Sequence, residues 1–407
     1  QGSRLDVTGW HFNGSLDYLM SPTAIRDCAT QIANLTRRGD GAFRLDESRL
    51  EMVAKHVVDS IHQKYPTIDI PLHSRWRHFE IEGTDSLQRF NNLTAECSTM
   101  ELARTGFDLI VPSVLLDAGA GPSWRFRTSS GALLSRSEGL AIASLEMFLS
   151  GSFSSDPSQP LRTDASALVE LNLVDFAEGM QSSEDNPLIG LNNRLLLLQQ
   201  LGRVIQRESK IFPTGRLSDL ADHLINTSTT EVSATYILST ILRLLGPMWP
   251  QRIVVSGINL GDAWRYSPPN ENRETVVPFH KLSQWLTYSI AETLLRSGKA
   301  VCDIEKLTGL AEYRNGGLFI DSGVLELRQE FAKPSYSIEN RTIIEWRALT
   351  VYLLDRIAER VSSLLGRELS LPRVLEGGTW HVGRELAYER SPTGESPLHI
   401  NTDGTVF

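Results

Sequence analysis

Cysteine is scarce: Cys28, Cys97 and Cys302 are the only three in 407 residues, far apart and in no CxxC pair. So small and scattered a set neither frames a disulfide scaffold nor supplies a thiolate metal site, and it points to a reducing compartment. Long apolar runs are missing as well. No stretch of about 18 apolar residues occurs, so a membrane-spanning helix has no candidate. The first residues lack the basic segment and apolar core of a secretion signal. The cytoplasm is the expected location, with no membrane partner. Positive charge is in deficit: 40 Lys plus Arg against 49 Asp plus Glu leave −9. That balance opposes a surface built to neutralise many phosphates, so nucleic acid is not an expected partner. A small phosphorylated ligand needs only two or three local cations and stays open. No GxGxxG, GxxxxGK[ST] or HExxH string is present, which removes the sequence basis for dinucleotide, P-loop or zincin chemistry. No metal and no cofactor is expected.

What the chain does have is ordinary globular content, 41% hydrophobic and 22% charged residues, arranged mainly with helical periodicity. Between Ser21-Pro22 and Gly39, the residues Ile25, Cys28, Ala29, Ile32 and Leu35 recur at three and four, a helix with both start and stop signals. Leu50 to Ile61 repeats the pattern until Tyr65-Pro66 breaks it. Further helices are expected over 101–117, 138–150, 164–180, 191–207, 217–225, 234–245, 279–296 and 341–365. Near the end, Thr379-Trp380-His381-Val382 and Leu398-His399-Ile400 flank Pro392-Thr393-Gly394 and predict a small C-terminal hairpin. The fold class is therefore mostly α. Gln1-Gly2-Ser3 reads as a scar from proteolytic removal of a tag, leaving 4–407 as a single large helical domain. Loops near 152–160 and 268–274 allow a division into two lobes, about 21–270 and 271–407, around a cleft.

Four segments concentrate chemistry. His73-Ser74-Arg75-Trp76-Arg77-His78-Phe79-Glu80 joins two His, two Arg and a Trp, suited to an anion or a sugar, although a solvated loop over a buried Trp would look the same. Leu115 to Trp124 ends an apolar helix with Asp117 and then two glycines that allow close backbone approach. A C-terminal turn with Asp117 in water is the plainer account. Gly261-Asp262-Ala263-Trp264-Arg265-Tyr266, followed by Val276 to Leu286, is the densest polar and aromatic constellation. On its helix, Lys281, Gln284 and Tyr288 fall within a sector of about 60°. Lys281 sits in the first turn, where the helix dipole disfavours a cation unless an anion offsets it. Lastly, Leu307 to Gly317 sets Glu312, Tyr313, Arg314 and Asn315 before two glycines. An exposed Glu312–Arg314 pair is its plainer reading. Glu345 and Arg347 read as a structural ion pair.

The strings HSRWRHFE, LLDAGAGPSWR, SEGLA, DNPLIGL, VPFHKLSQWL, LTGLAEYRNGG, EWRALT, RVLEGGTW and DGTVF resemble the uracil catabolism protein four family, over about Ser21 to Phe407. That resemblance implies a ring-opened pyrimidine ribonucleotide, a ribosylurea or its 5′-phosphate, as substrate. A fainter likeness is to queuosine 5′-phosphate N-glycosylases, helical relatives of the helix-hairpin-helix DNA glycosylases. Lys281 and Gln284 match that family's Lys and Gln, and Glu312-Tyr313-Arg314 with Gly323-Val324-Leu325 matches its Asp-Tyr-Arg and Gly-Val-Leu. Asn315-Gly316-Gly317 departs from its Val-Pro-Gln, which implies a different leaving group. The two likenesses together imply a DNA-glycosylase-like helical globule with a central cleft that removes urea by N-glycoside hydrolysis, as a monomer or weak homodimer. An oxocarbenium-like sugar needs a carboxylate nearby. Glu312 takes that role, with Asp262 or Asp117 second, and Lys281 holds Glu312 ionised or contacts phosphate. Arg314 with Arg75 or Arg77 forms the phosphate clamp, Trp264 and Tyr313 wall the pocket, and Gln284 or His280 assists the leaving group. His73, Trp76, Arg265 and Asn315 complete the expected substrate contacts. A ureido amidohydrolase and a non-catalytic nucleotide-binding protein are the alternatives.

Overall fold

A computed structural model of the chain describes residues 15–228, 230–272 and 274–401. The terminal DGTVF string and residues 1–3, read above as a tag scar, lie outside them. The described chain is mostly helical, with only short two-stranded sheets, and none of its helices is long and apolar enough to cross a membrane. It divides into two compact units interleaved in sequence. The first comprises the chain up to His73, Gln251–Gln284 and the chain from Glu305; the second comprises Ser74–Pro250 and Trp285–Ile304.

The first unit is built on helix Arg341–Leu365, started by Asn340, whose side chain accepts the Thr342 N–H, and stopped by Gly366 at φ 62°. It packs against helices Pro22–Arg37 and Leu50–Lys64. Ile25, Cys28, Ala29 and Ile32 from the first, Val53, Ala54 and Val57 from the second, and Ile343, Leu354 and Ile357 from the long helix share one apolar core. An antiparallel hairpin, Ala263–Tyr266 with Thr275–Pro278, borders this core and leads into helix Lys281–Arg296. In the second unit, helix Thr99–Leu115 is buried almost all round from Ala103 onward. Its Asp108 is wholly buried and accepts hydrogen bonds from Arg216 Nε at 2.7 Å and Ser218 N at 2.9 Å.

Helices occur close to most of the expected spans, such as Leu191–Arg207, Ala234–Leu245 and Arg341–Leu365. Two expectations fail. The span 164–180 is two helices, Ala165–Glu170 and Leu173–Gly179, because Leu171 turns extended and Asn172 caps the second with a bond from Asp175 N. The C-terminal hairpin does not form. Thr379 closes a π-helix, Leu375–Thr379, that runs into helix Trp380–Arg390, while Ile400–Asn401 pairs in parallel with Tyr336–Ser337. Val382, Gly383 and Ala387 are buried at helical spacing. Gly383 brings this helix so close to Tyr313–Asp321 that an added Cβ would lie 2.5 Å from the Arg314 carbonyl. Burial against a neighbouring helix decided a short apolar run that local pattern leaves ambiguous.

Candidate active site

In the first unit, the segment that starts the hairpin carries Asp262 into a buried position at the N-terminus of helix Lys281–Arg296. Its Oδ1 accepts from Arg347 Nη1 at 2.7 Å and Trp264 Nε1 at 2.7 Å. Its Oδ2 accepts from Arg347 Nη2 at 2.8 Å and Lys281 N at 3.0 Å. Burial alone would raise the carboxyl pKa, but the Arg347 charge and these bonds outweigh it and hold the group at about 2. Two acceptor bonds on each oxygen use the carboxylate's capacity in full. Asp262 is thereby a positioning group, and proton abstraction from water would require it to release a partner. Arg347 also donates from Nε to the Ala311 carbonyl at 3.0 Å and lies 4.2 Å from the Phe279 ring centre. A continuous relay thus runs from Lys281 N through Asp262 and Arg347 to the residue before Glu312. Sequence reading pairs Arg347 with Glu345. In the fold, Glu345 instead accepts from Ala42 N at 2.6 Å and Tyr266 OH at 3.0 Å.

Glu312 precedes helix Tyr313–Asp321 and caps it, Oε1 accepting from Asn315 N at 2.8 Å and Oε2 from Arg314 N at 2.5 Å. Each oxygen keeps acceptor capacity, and the side chain is only partly buried. Arg314 does not pair with it. Its Nη1 reaches the Gly394 carbonyl at 2.9 Å, and its guanidinium lies 5.1 Å from the centre of the half-buried Tyr313 ring. The Asn315 amide is fully buried, and neither its oxygen nor its nitrogen has a hydrogen-bond partner.

Gln284 is locked to Thr308: its Nε2 donates to Thr308 Oγ1 at 2.6 Å and to the Phe279 carbonyl at 3.3 Å, while its Oε1 accepts from Thr308 N at 2.9 Å. Both amide protons are therefore spent. His280 sits at φ 50°, its Nε2 against the Leu19 carbonyl at 2.8 Å. Because that carbonyl only accepts, Nε2 carries the proton. Burial pushes the ring pKa down, leaving it neutral with Nδ1 bare. Arg265 is exposed and bound to Glu274, away from this cluster. His73 Nδ1 lies 2.8 Å from Glu376 Oε2, and Tyr65 OH donates to Oε1 at 3.3 Å. Glu376 lies in the RVLEGGTW string, where nothing local gives it a chemical role, and it becomes a partner of His73 only through the π-helix.

In the second unit Arg75 and Asp117 meet at 2.9 Å. Arg75 is wholly buried, bonds Ser113 Oγ and the Ser137 carbonyl, and leaves Nη2 without a partner. Arg194, which no motif flags, ties together the turn around Asp117 by donating to the carbonyls of Leu116 at 2.6 Å, Ala118 at 3.0 Å and Gly119 at 2.6 Å. Burial lowers its pKa to about 10. Trp76 is a core residue whose indole donates to Thr293, and Arg77 pairs with the buried Glu292. Arg77 is therefore held within the fold rather than presented to a ligand. Among the described residues, no group of three or more His, Cys, Asp or Glu side chains is placed to hold a metal ion.

Comparison with known proteins adds family context. A family model described as a protein of unknown function, DUF1688, matches residues 18–407. Protein urg3 of Schizosaccharomyces pombe is 40% identical over 383 residues, 90% of this chain and 92% of its own. Uracil catabolism protein 4 of Lachancea kluyveri is 33% identical over 436 aligned positions, 96% of this chain and 99% of its own.

Proposed function

The chain belongs to the DUF1688 family, and from that premise we propose that it serves uracil catabolism as an N-glycosidase, removing urea from ribosylurea or its 5′-phosphate. The pathway is supported by the name of the Lachancea kluyveri relative, which aligns along nearly its whole length. The chemistry rests on one observation, the carboxylate of Glu312. It is fixed by two N–H bonds yet has acceptor capacity left on both oxygens, and it follows a carbonyl anchored by the Arg347–Asp262 pair. A carboxylate so held suits an oxocarbenium-like sugar, because it does not reorganise as positive charge develops. In the reaction the bond from the anomeric carbon to the ureido nitrogen breaks and its electron pair leaves with nitrogen. Water adds to the anomeric carbon, Glu312 takes one water proton, and the leaving nitrogen gains one, giving urea and the ribose product. On this reading the frame is of the DNA-glycosylase-like type, with Glu312 in the place of that group's Asp.

Product analysis tests the reading. Purified protein given ribosylurea 5′-phosphate is expected to release urea and ribose 5-phosphate in equal amounts. Ammonia in place of urea would overturn it in favour of ureido amidohydrolysis, and bound but unchanged substrate would leave a binding protein. Glu312→Gln keeps one acceptor for the helix cap, so a stability loss of about 1 kcal/mol or less is expected. Its kcat should nevertheless fall by at least about 100-fold. Near-normal turnover would remove Glu312 from this role.

A further inference from the structure

Asn315 stands apart from the other polar side chains around Glu312. It is 0% exposed, and both ends of its amide lack a hydrogen-bond partner. A buried polar group left without a hydrogen bond keeps the full cost of losing water, and native folds rarely carry one without a reason. Here the two orphaned atoms belong to one amide, on the residue whose own N–H binds the Glu312 carboxylate at 2.8 Å. The other candidate donors to a leaving group are spent: Gln284 gives both amide protons to Thr308 and Phe279, and neutral His280 gives its one proton to Leu19, its bare Nδ1 being an acceptor only.

We propose that Asn315 is the specificity-determining residue for the leaving group, its amide forming a paired hydrogen-bonded ring with a ureido group. This inference rests on the N-glycosidase reading for the identity of the substrate. A primary amide offers one donor and one acceptor side by side, and a ureido group offers the complementary acceptor and donor. Asn315 Nδ2 donates to the ureido carbonyl oxygen, and Oδ1 accepts from the terminal ureido N–H. As the glycosidic bond breaks, the electron pair on the leaving nitrogen delocalises onto that carbonyl oxygen. The Nδ2–H bond then strengthens in the transition state and assists departure. Removed from water, such a pair also rejects leaving groups that cannot match both atoms, because the amide is then left unsatisfied.

The test uses Asn315→Leu, an apolar near-isostere, and Asn315→Ala as the smaller control in case leucine does not fold. Calorimetry compares ribosylurea 5′-phosphate with ribose 5-phosphate, which lacks the ureido group, and turnover is measured in parallel. The wild-type chain should bind the ureido compound more tightly. The variants should lose that difference by at least tenfold, keep ribose 5-phosphate affinity within about threefold, and lower kcat/KM by tenfold to a hundredfold. The leucine variant should melt no lower than wild type, since it removes an unsatisfied polar group. If the variants keep the preference for the ureido compound, or if affinity for both compounds falls equally, the inference fails and the amide is a packing residue. If wild type turns nothing over but prefers the ureido compound in an Asn315-dependent way, Asn315 stands as the residue that recognises the ureido group and the N-glycosidase reading falls. If wild type binds neither compound, both fall.

Discussion

At the residue scale, the Asp262–Arg347 pair shows how a carboxylate can be prominent in sequence yet wholly committed in the fold. Both partners are buried, and every acceptor site on Asp262 is used. Its carboxyl pKa is depressed to about 2 from an ordinary 3.8. The pair's contribution is therefore fully present above about pH 4 and is lost as pH falls through 2. Arg347→Met reverses the sign, because burial without a counter-charge favours the protonated acid. Urea denaturation should show a loss of about 3–5 kcal/mol at pH 7, the cost of an uncompensated buried charge, and a smaller loss at pH 5. An equal loss at both values would mean that the arginine matters for packing alone. The family resemblance, and not any local pattern, grouped Asp262, Lys281 and Glu312. Reading along the chain gave Arg347 the wrong partner: i, i+2 side chains on a helix diverge, so Glu345 does not face Arg347, and only the fold brings up the distant Asp262 that does pair with it.

At the scale of elements, apolar periodicity made most helices legible, and the fold shows how their ends are held. Ser21-Pro22, Ser98 and Asn340 cap three of them through side-chain oxygens, and Gly366 ends the longest. What local pattern could not supply was the partner surface. Helix Trp380–Arg390 has weak amphipathic patterning and follows a glycine pair, so its sequence reads as turn and strand. It is a helix because Gly377 and Gly378 fit against Ile61 and Val57, and Gly383 against the Arg314 carbonyl. Gly383→Ala should therefore cost about 1–3 kcal/mol in urea denaturation, since the added carbon meets backbone rather than a mobile side chain. It should also loosen the helix that carries Glu312 and Asn315, seen as faster amide exchange over 313–321. A neutral substitution with unchanged exchange would show that the two helices separate freely.

At the scale of the whole molecule, the two units interleave, so neither is a continuous piece of chain. The long helix Arg341–Leu365 buries its face against helices Pro22–Arg37 and Leu50–Lys64. A fragment 251–407 retains Asp262, Arg347, Lys281 and Glu312 but lacks both of those helices. It should show no near-UV circular dichroism and no cooperative urea transition, and adding residues 15–73 in trans should restore order. A cooperative transition in the isolated fragment would show that the C-terminal segments fold without them.

The amino-acid order by itself determined the helical class, because apolar spacing, capping residues and glycine stops are local properties that survive without a partner. It also marked the segments in which carboxylates, guanidinium groups and aromatic rings cluster along the chain. Only tertiary structure decided which carboxylate is saturated and which keeps free acceptor capacity. It alone paired Asp262 with Arg347, His73 with Glu376 and Arg75 with Asp117. Those outcomes depend on distances between segments remote in sequence and on the removal of water from between them, and neither quantity is written in any local stretch of chain.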